Sequence, residues 1–539
     1  MSVKFIFNTI CLFCIAGSYS SAISQTFCET LGDAGIEYAG GITSSADTGF
    51  VIAGRTNSYS GDFMDFYFAK LNANGELLWS TVVKTEGEDL AKSIIQNTDG
   101  TFTGAGSSYS FTSNYDVAVI HLGSEGELLW AKYFGDSYSN NANKIIQTAD
   151  QGYALAGYSD TMITTGAGFV ITFLPMVMKL NDETELEWVK RFSYCDDCTG
   201  EVTDMLQLQD GGFLLTGYVA TEFSALSTDI FIAKFDAEGD FLWLNKIGKE
   251  DIYETAVKII PAINNGYIIS GTTYETGESY DMYFVKADED GNVLWEKTID
   301  FGAHDEVTGM IKTADNQYAV SGIVSTGDYD YGLLKLDSNL TVLFSSVAGN
   351  ETMEYASGLI QSDTNYIVSG TTMPEGSFAD DLYFVKFNGH GYSCCKVDSG
   401  GIVTNYTSSS DMNGSAFSAG FTEYDGAENF SGGILTTYCM DTLREDTTII
   451  IDLVSFIEEN SSISIYPDAS FSFIYASLHM HAEKMLRIHM HDISGKSISA
   501  FETTGNPVIQ IDIHDLPKGI YFLSFSSDAI HETHTFMKE

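Results

Sequence analysis

Basic residues and prolines are scarce in this sequence, and long apolar stretches are absent beyond its N-terminal region. Its 539 residues include 26 lysines and arginines against 74 aspartates and glutamates, a formal net charge of −48. Such an anionic surface repels phosphate backbones and anionic lipid, so neither nucleic-acid binding nor electrostatic membrane docking is expected. No later segment reaches the ~18 consecutive apolar residues of a membrane span, so the mature chain has no predicted transmembrane segment.

Only 6 prolines accompany 51 glycines, a balance typical of many tight turns and few rigid linkers. Apolar residues make up 44% of the chain and aromatic residues 13%, which argues against disorder. No stretch has a convincing amphipathic helical period. The sequence therefore predicts an all-β protein.

The N-terminus has the pattern of a secretory signal. Residues 1–24 contain Lys4, an apolar run and a small-residue exit, which predicts a cleaved signal peptide and an exported mature chain. An even number of cysteines in an exported chain favours disulfides over metal-binding or redox thiols. Six cysteines remain after cleavage: Cys28, Cys195, Cys198, Cys394, Cys395 and Cys439.

A short Tyr/Phe-rich strand that ends in glycine recurs seven times. The glycines are Gly54, Gly106, Gly157, Gly217, Gly271, Gly322 and Gly370. Each unit of about 50 residues reads as four short strands, and such a period in an all-β chain predicts a seven-bladed β-propeller over residues 25–397. The pattern resembles the fifty-residue propeller repeats of large exported bacterial surface proteins.

The two ends of the repeat region complement each other. The seventh unit has a third strand at 381–387 but no Leu-Trp strand after it, while residues 26–32 precede the first unit. We therefore expect residues 26–32 to complete the last sheet by pairing with 381–387. This pairing would bring Cys28 close to Cys394 or Cys395, and the two adjacent cysteines fit two separate bridges, with Cys28 and Cys439 as partners.

Two positions of the repeat carry charge in nearly every unit. One is aspartate, at Asp65, Asp116, Asp229, Asp281, Asp330 and Asp381. The other is lysine, at Lys70, Lys179, Lys234, Lys286, Lys335 and Lys386, with His121 in the second unit. The carboxylates could line one rim and bind cations, or they could cap loop amides while the lysines cover other carboxylates. We favour the second interpretation.

Two short motifs can each be interpreted as a structural feature or as a functional site. Cys195-Asp-Asp-Cys198 has the spacing of a redox pair, but neighbouring acids make thiols worse nucleophiles, so we favour a local disulfide. The turn at 288–291 resembles half of a calcium loop, but the equivalent turns lack its acids, so we favour a hairpin turn.

The last third of the chain changes in composition. Residues 398–457 are rich in Ser, Thr, Gly and Asn and predict a linker with some strand character. Residues 458–539 resemble the C-terminal sorting domain of type IX secretion substrates, at Pro467, Asp492, Gly495, Lys496, Leu516, Pro517, Gly519 and Tyr521. Asp468 and Ala469 depart from that family's motif. The resemblance implies a small Ig-like β-sandwich, recognition by the type IX machinery, and a secreted or surface-attached protein.

Four histidines of this domain form two alternating pairs: His479, His481, His489 and His491. If their strands paired across 482–484, the four rings would share a face and could bind zinc or copper. The other interpretation, which we favour, is an exposed polar face.

The function predicted from these features is a non-enzymatic binding or adhesion module for a glycan, a protein or cations. The alternative is a secreted hydrolase that acts on carbohydrate through the propeller channel. No cofactor is predicted, with calcium, zinc or copper left as possible ions. The segment 159–175 breaks the repeat and is therefore the first candidate for a specific binding site.

Overall fold

A computed structural model describes residues 26–440 and 463–538, apart from 33–34, 60–62, 112–113, 166–167, 196–197, 221–226, 250–251, 276–278, 302–303, 326–328, 350–352, 374–379, 395 and short segments within 399–433 and 468–530. Every regular element of these residues is a β-strand. None of them forms a helix that could cross a membrane. The chain divides into one compact unit over Ser24–Met440 and a second that contains the C-terminal residues.

The first unit is built from repeated antiparallel sheets, as the period predicts. The opening strand, β1 (Phe27–Gly32), belongs to the last sheet. Sheet 1 contains β2 (Glu37–Ser44), β3 (Phe50–Thr56), β4 (Asp65–Leu71) and β5 (Leu77–Lys84). Sheet 2 contains β6 (Asp89–Gln96), β7 (Phe102–Ser108), β8 (Asp116–Leu122) and β9 (Leu128–Gly135). Sheet 3 contains β10 (Asn140–Gln147), β11 (Tyr153–Thr165), β12 (Gly168–Leu180) and β13 (Leu186–Ser193).

The remaining sheets repeat this plan. Sheet 4 contains β14 (Thr199–Gln207), β15 (Phe213–Ala220), β16 (Asp229–Phe235) and β17 (Phe241–Ile247). Sheet 5 contains β18 (Ile252–Pro261), β19 (Tyr267–Glu275), β20 (Tyr280–Ala287) and β21 (Val293–Asp300). Sheet 6 contains β22 (Asp305–Lys312), β23 (Tyr318–Ser325), β24 (Tyr329–Leu336) and β25 (Val342–Gly349). Sheet 7 contains β26 (Glu354–Ser362), β27 (Asn365–Thr372) and β28 (Asp381–Phe387), followed by β1.

The predicted pairing of the first mature segment is confirmed. Strand β1 runs antiparallel to β28, with Phe27 opposite Lys386 and Leu31 opposite Leu382. Phe27 is fully buried and its ring contacts those of Phe50 in sheet 1 and Phe384 in sheet 7. The N-terminal strand thus joins the end of the repeat region to its beginning.

Apolar side chains on both faces of the sheets form buried clusters between consecutive sheets. Six clusters join sheets 1 to 2, 2 to 3, 3 to 4, 4 to 5, 5 to 6 and 6 to 7. A seventh joins sheet 7 to sheet 1, through Leu31, Ile367 and Leu382 on one side and Ile52 and Tyr67 on the other. Each sheet therefore has two covered faces.

The linker predicted for 398–457 differs from the structure. Residues 396–440 form seven short strands, which we call the belt: β29 (Lys396–Asp398), β30 (Ile402–Tyr406), β31 (Ser410–Met412), β32 (Ser415–Ser418), β33 (Thr422–Asp425), β34 (Glu428–Phe430) and β35 (Ile434–Met440). They add in turn to the fourth strands of sheets 6, 5, 4, 3, 2, 1 and 7. The physical reason is that each fourth strand otherwise presents an unpaired backbone edge. Residues 441–457 lie outside the described residues.

The second unit contains two antiparallel sheets. One has the order β36 (Ile463–Pro467), β37 (Phe473–Leu478), β40 (Val508–Asp512), and the other β39 (Ser497–Thr503), β38 (Leu486–Asp492), β41 (Gly519–Ser526), β42 (His531–Lys538). Their buried residues include Ile488, Met490, Ile511, Leu523 and Phe525. The burial of Ile488 and Met490 puts one face of β38 in the core of this unit.

Candidate functional site

Acidic side chains meet at one edge of the sheets. The aspartate that begins the third strand of a sheet lies beside an acid near the start of the next sheet's first strand. Five such pairs are Asp65 with Asp89, Asp229 with Glu254, Asp281 with Asp305, Asp330 with Glu354, and Asp381 with Glu37. We call these pairs the acid joints.

Backbone hydrogen bonds hold the acid joints together. The amide of Glu37 donates to the carbonyl of Asp380 at 2.6 Å, and that of Asp89 donates to Met64 at 2.8 Å. The amide of Glu254 makes the same bond to Thr228 at 2.8 Å. Each bond crosses from one sheet to the next and places the two acids side by side.

Burial and mutual repulsion raise the pKa values of several joint carboxyls. Burial raises the pKa of Glu254 to about 8, with a further contribution from Asp229. Burial and the nearby Glu37 raise the pKa of Asp381 to about 6. Burial also raises the pKa of Asp89 well above its usual range. These acids hold protons at pH values where an exposed carboxyl is ionised.

The repeated lysines lie at a different edge of the sheets from the acid joints. Lys70, Lys179 and Lys335 are almost fully buried and lie 2.7–2.9 Å from Asp47, Asp150 and Asp315, in the turns after the first strands. Burial opposes ionisation of Asp47, but the hydrogen bond from Lys70 lowers its pKa to about 2. The prediction that these lysines cover carboxylates is confirmed for these three. Five of the six repeated aspartates lie beside second acids in the joints, and the amide-capping role favoured for them stays a prediction.

Aromatic side chains form a continuous row along the edge that holds the joints. We call it the aromatic rim; its members are Tyr253, Tyr274, Tyr280, His304, Tyr329 and Tyr355. Tyr274 and Tyr280 are stacked with ring centroids 4.6 Å apart, and His304 follows Tyr280 at 4.5 Å. The row continues to Tyr329 and Tyr355 with centroid distances of 5.3 and 5.6 Å. It therefore spans sheets 5, 6 and 7.

A pocket of about 370 Å³ lies where this rim reaches sheet 1. Its walls include Tyr38, Tyr355, Thr371, Met373 and Asp380. Tyr355 and Met373 are exposed at 42% and 44%, so apolar surface is open to solvent here. A hydrogen bond to Asp380 raises the pKa of Tyr38, so the phenol keeps its proton and acts as a donor. The pocket combines aromatic walls with a carboxylate acceptor.

Acidic groups accompany the rim. Nε2 of His304 lies 2.6 Å from Oε1 of Glu306, which orients the imidazole within the row. Burial raises the pKa values of Tyr253, Tyr280 and Tyr355, and Glu306 adds to each shift. The rim thus offers neutral aromatic faces next to negative charge.

A second polar cluster lies on the first strands of sheets 2 to 5. Nζ of Lys144 is 3.0 Å and Nζ of Lys258 is 3.9 Å from Oδ1 of Asp204. Burial opposes ionisation of Asp204, but these two lysines hold its pKa below the usual value. Burial raises the pKa of Glu201 on the same strand, which Lys92 opposes. Two carboxyls of opposite pKa shift therefore lie three residues apart.

Every first strand bends at the same point. The register shifts once in each of these strands, as after Ala142 in β10 and after Val202 in β14. The same irregularity is present in β2, β6, β18, β22 and β26. A β-bulge of this kind turns the following side chain toward a different direction. It accounts for the placement of Lys144 and Asp204, which follow the bulge in their strands.

The cysteine predictions are borne out for one bridge. Cys195 and Cys198 form a disulfide, as favoured for this spacing. Cys28 and Cys394 are also in disulfide form, and they pack in the same buried cluster. The backbone of Cys28 lies opposite that of Cys439 in the pairing of β1 with β35. Cys395 lies outside the described residues, and the connectivity of these four cysteines stays a prediction.

The four-histidine site stays a prediction, because only His489 and His491 lie among the described residues. Strands β37 and β38 belong to different sheets and do not pair, because β37 pairs with β36 and β40. His489 and His491 are half-buried, with parallel rings whose centroids are 6.1 Å apart. His479 and His481 lie outside the described residues. The 288–291 turn is a hairpin turn, in which Asp288 accepts the amides of Asp290 and Asn292.

The hairpin of β11 and β12 occupies the segment singled out in sequence. Its paired strands are 13 residues each, and the pairing extends to Thr165 opposite Gly168. Nothing in the described side chains sets it apart as a binding site. The aromatic rim lies in other sheets, and the sequence signal for it is the tyrosine near the start of several first and third strands.

Two segments of the sorting motif lie side by side in the second unit. Asp492 ends β38 opposite Tyr521 of β41, so two separate motif segments are neighbours. The hydroxyl of Tyr521 donates to the carbonyl of Pro517 at 2.6 Å, and the amide of Leu516 donates to Ile513. Pro467 ends β36 and Gly519 begins β41, while Lys496 is exposed. Gly495 lies outside the described residues.

Comparisons with known proteins identify this second unit. Residues 464–539 match the family described as the secretion system C-terminal sorting domain. The domain directs substrates to the type IX secretion machinery, so the protein is exported to the extracellular space or the cell surface. No curated protein matches the chain.

The chain is similar to several solved structures at low sequence identity. A protein of unknown function from Dyadobacter fermentans is 10% identical, with 68% of this chain and 97% of that chain covered and a TM-score of 0.39. A putative 6-phosphogluconolactonase from Bacteroides uniformis is 12% identical, with 69% and 99% covered and a TM-score of 0.36. Sqt1 from Chaetomium thermophilum is 9% identical, with 63% and 81% covered and a TM-score of 0.37.

Proposed function

We propose that residues 26–440 form a seven-bladed β-propeller that acts as a non-enzymatic binding module outside the cell. The succession of buried clusters supports the architecture, because the last cluster joins sheet 7 back to sheet 1. The strand order supports it as well, since each sheet runs from its first to its fourth strand and the belt adds outside the fourth. In this arrangement the first strands surround the central channel.

The aromatic rim is the ligand site in this proposal, and a neutral glycan is the ligand. Sugar rings present apolar C–H faces that pack on tyrosine, while their hydroxyls donate to carboxylates such as Asp380. The net charge of −48 disfavours anionic polysaccharides. The single observation that carries the proposal is the row of rings from Tyr274 to Tyr355 across three sheets.

The pocket at the end of the rim gives the row a defined terminus. Aromatic walls with a few polar groups are the usual composition of small-molecule sites. One sugar residue seated between Tyr38 and Tyr355 would place its hydroxyls near Thr371 and Asp380. Neighbouring sugars of the same chain would then lie along Tyr329 and Tyr280.

A glycan array probed with the full-length protein tests the proposal. We expect binding to neutral oligosaccharides and no binding to sulfated or uronic-acid glycans. Tyr280→Ala and Tyr329→Ala should each weaken binding at least tenfold. Tyr392→Ala is the matched control, because Tyr392 is exposed at 56% but lies outside the rim. Binding that survives both rim variants would refute the assignment of the site.

A hydrolase is the second candidate, and the pair of Glu201 and Asp204 favours it. An acid with a raised pKa and a carboxylate with a lowered pKa suit general-acid and nucleophile or base roles in glycoside hydrolysis. Incubation of the glycans bound on the array with wild type and Glu201→Gln distinguishes the two functions. Products that form with wild type and are absent with the variant would establish hydrolysis. Glycans that remain unchanged with wild type would exclude hydrolysis and leave only the binding function.

A further inference from the structure

The acid joint between sheets 5 and 6 differs from the other joints in the residue that faces its aspartate. In sheets 2, 4, 6 and 7 the residue opposite the third-strand aspartate is a glycine: Gly135, Gly248, Gly349 and Gly32. A Cβ at Gly248 would lie 2.1 Å from Oδ1 of Asp229 and 2.9 Å from Oε2 of Glu254. In sheets 4, 6 and 7 the glycine therefore makes room for the two carboxyl groups of a joint.

In sheet 5 the equivalent residue is Asp300. The register pairs Met282 with Ile299, which sets Asp281 opposite Asp300. Like charges directly opposite each other on paired strands are destabilising. Asp305 of sheet 6 adds a third carboxyl, and one carboxylate oxygen from each of the three lies within 4.8 Å of the others. Three acids therefore share a space that holds two elsewhere.

The neighbouring joint shows how positive charge satisfies such a cluster. Nζ of Lys246 lies 2.8 Å from Oδ2 of Asp229, beside Glu254. The residue in the same register position of sheet 5 is Thr298, opposite Tyr283 as Lys246 is opposite Phe231. Compared with sheet 4, sheet 5 has threonine in place of the lysine and a carboxylate in place of the glycine.

Asp305 has an oxygen left for a ligand. Its side chain is fully buried, and Oδ2 accepts the amide of Phe301 at 2.7 Å. Oδ1 has no hydrogen-bond partner within the part of the chain that the structure describes. A buried carboxylate oxygen without a donor is costly, and a bound cation at this position would compensate it.

We propose that Asp281, Asp300 and Asp305 bind a Ca²⁺ ion that links sheet 5 to sheet 6. Three carboxylates form an all-oxygen ligand set, which selects a hard cation over zinc or copper. Oxygens bound to one Ca²⁺ at ~2.4 Å can be up to ~4.8 Å apart, which accommodates this cluster. Mg²⁺, with its shorter bonds of ~2.1 Å and strict octahedral geometry, fits it less well. The site does not depend on the proposed glycan function.

Calcium titration of the full-length protein after EGTA treatment tests this proposal, with isothermal calorimetry and thermal unfolding as readouts. We expect Ca²⁺ binding and a rise in Tm for wild type. Asp300→Gly should abolish both and still fold, because glycine occupies this position in four other sheets. Asp300→Asn keeps the size of the side chain and should weaken binding at least tenfold. Asp290→Asn, in the exposed turn of the same sheet, should leave binding unchanged.

Several outcomes would overturn the site. Absence of any Ca²⁺ effect on wild type would show that the cluster is compensated by protons. Calcium binding retained in Asp300→Gly would place the ion elsewhere. Mg²⁺ binding as tight as Ca²⁺ binding would refute the choice of ion. Loss of binding in Asp290→Asn together with Asp300→Asn would point to nonspecific association with the acidic surface.

Discussion

Nζ of Lys246 lies 2.8 Å from Oδ2 of Asp229, at a boundary between two sheets where Glu254 is the nearest second acid. Asp229 is almost fully buried, and the lysine side chain is 21% exposed. The ion pair therefore offsets carboxyl charge that water reaches poorly. Its position makes it the natural place to test how much the acid joints contribute to stability.

Lys246→Met should reduce the free energy of unfolding by about 3 kcal/mol, since it leaves a buried carboxylate without its partner. The loss should be greater at pH 8 than at pH 5, because Glu254 is protonated at the lower pH. Urea unfolding measures both values. Lys190→Met is the matched control, because its partner Asp240 is 74% exposed, and we expect a loss below about 1 kcal/mol. Equal losses in the two variants would contradict the role of burial.

Stability should fall as the pH rises from about 5 to 8 in the absence of calcium. The pKa values of Asp381 and Glu254 are raised to about 6 and about 8 in the folded protein. Between the unfolded and folded pKa values the folded state keeps a proton that the unfolded state releases, so higher pH favours unfolding. Urea midpoints measured with EGTA should decrease over this range. Glu254→Gln should flatten the decrease, and a stability maximum near pH 8 would exclude this account.

Phe27→Ala should destabilise the first unit by about 3–5 kcal/mol, because it empties a fully buried site between sheets 7 and 1. Guanidinium unfolding followed by tryptophan fluorescence measures the change. Leu78→Ala is the control, since Leu78 is 52% exposed and its loss should cost less than about 0.5 kcal/mol. A small effect at Phe27 would mean that β1 contributes little to the joining of the two sheets.

Removal of the belt should expose seven strand edges. A chain that ends after residue 440 keeps β29–β35, whereas one that ends after 395 leaves the fourth strands unpaired. We expect the longer chain to be monomeric and the shorter one to aggregate through edge-to-edge pairing. Size-exclusion chromatography with light scattering distinguishes them. A monomeric shorter chain would show that the edges need no cover.

The repeated strands and the joining strand could be predicted from the sequence because their signals recur. The Tyr/Phe strand before each glycine and the Leu-Trp strand identify two faces that must be buried, and the unmatched segment at residues 26–32 has one vacant position to fill. An acid also recurs at the start of several first strands, as at Glu37, Asp89 and Glu354. When the seven units are placed one under another, this acid falls at the same position of the repeat.

The belt and the aromatic rim carry weaker signals. Belt strands such as β31 and β34 have three residues each, too few to show a period, and an outer strand needs no apolar pattern. Residues 399–406 and 431–438 have similar sequences, and these segments contain β30 and part of β35. The rim combines tyrosines from different positions of the repeat, such as Tyr274 and Tyr329, so their proximity depends on the three-dimensional arrangement of three sheets.

The position of β1 also affects when the chain can fold. Its neighbour β28 is synthesised about 350 residues later, and β35 later still. At ~5–20 residues per second, the first strand has no partner for on the order of tens of seconds. We therefore expect the emerging polypeptide to remain without its closing contacts until synthesis is nearly complete, which suits a protein that must cross a membrane before it adopts its final form.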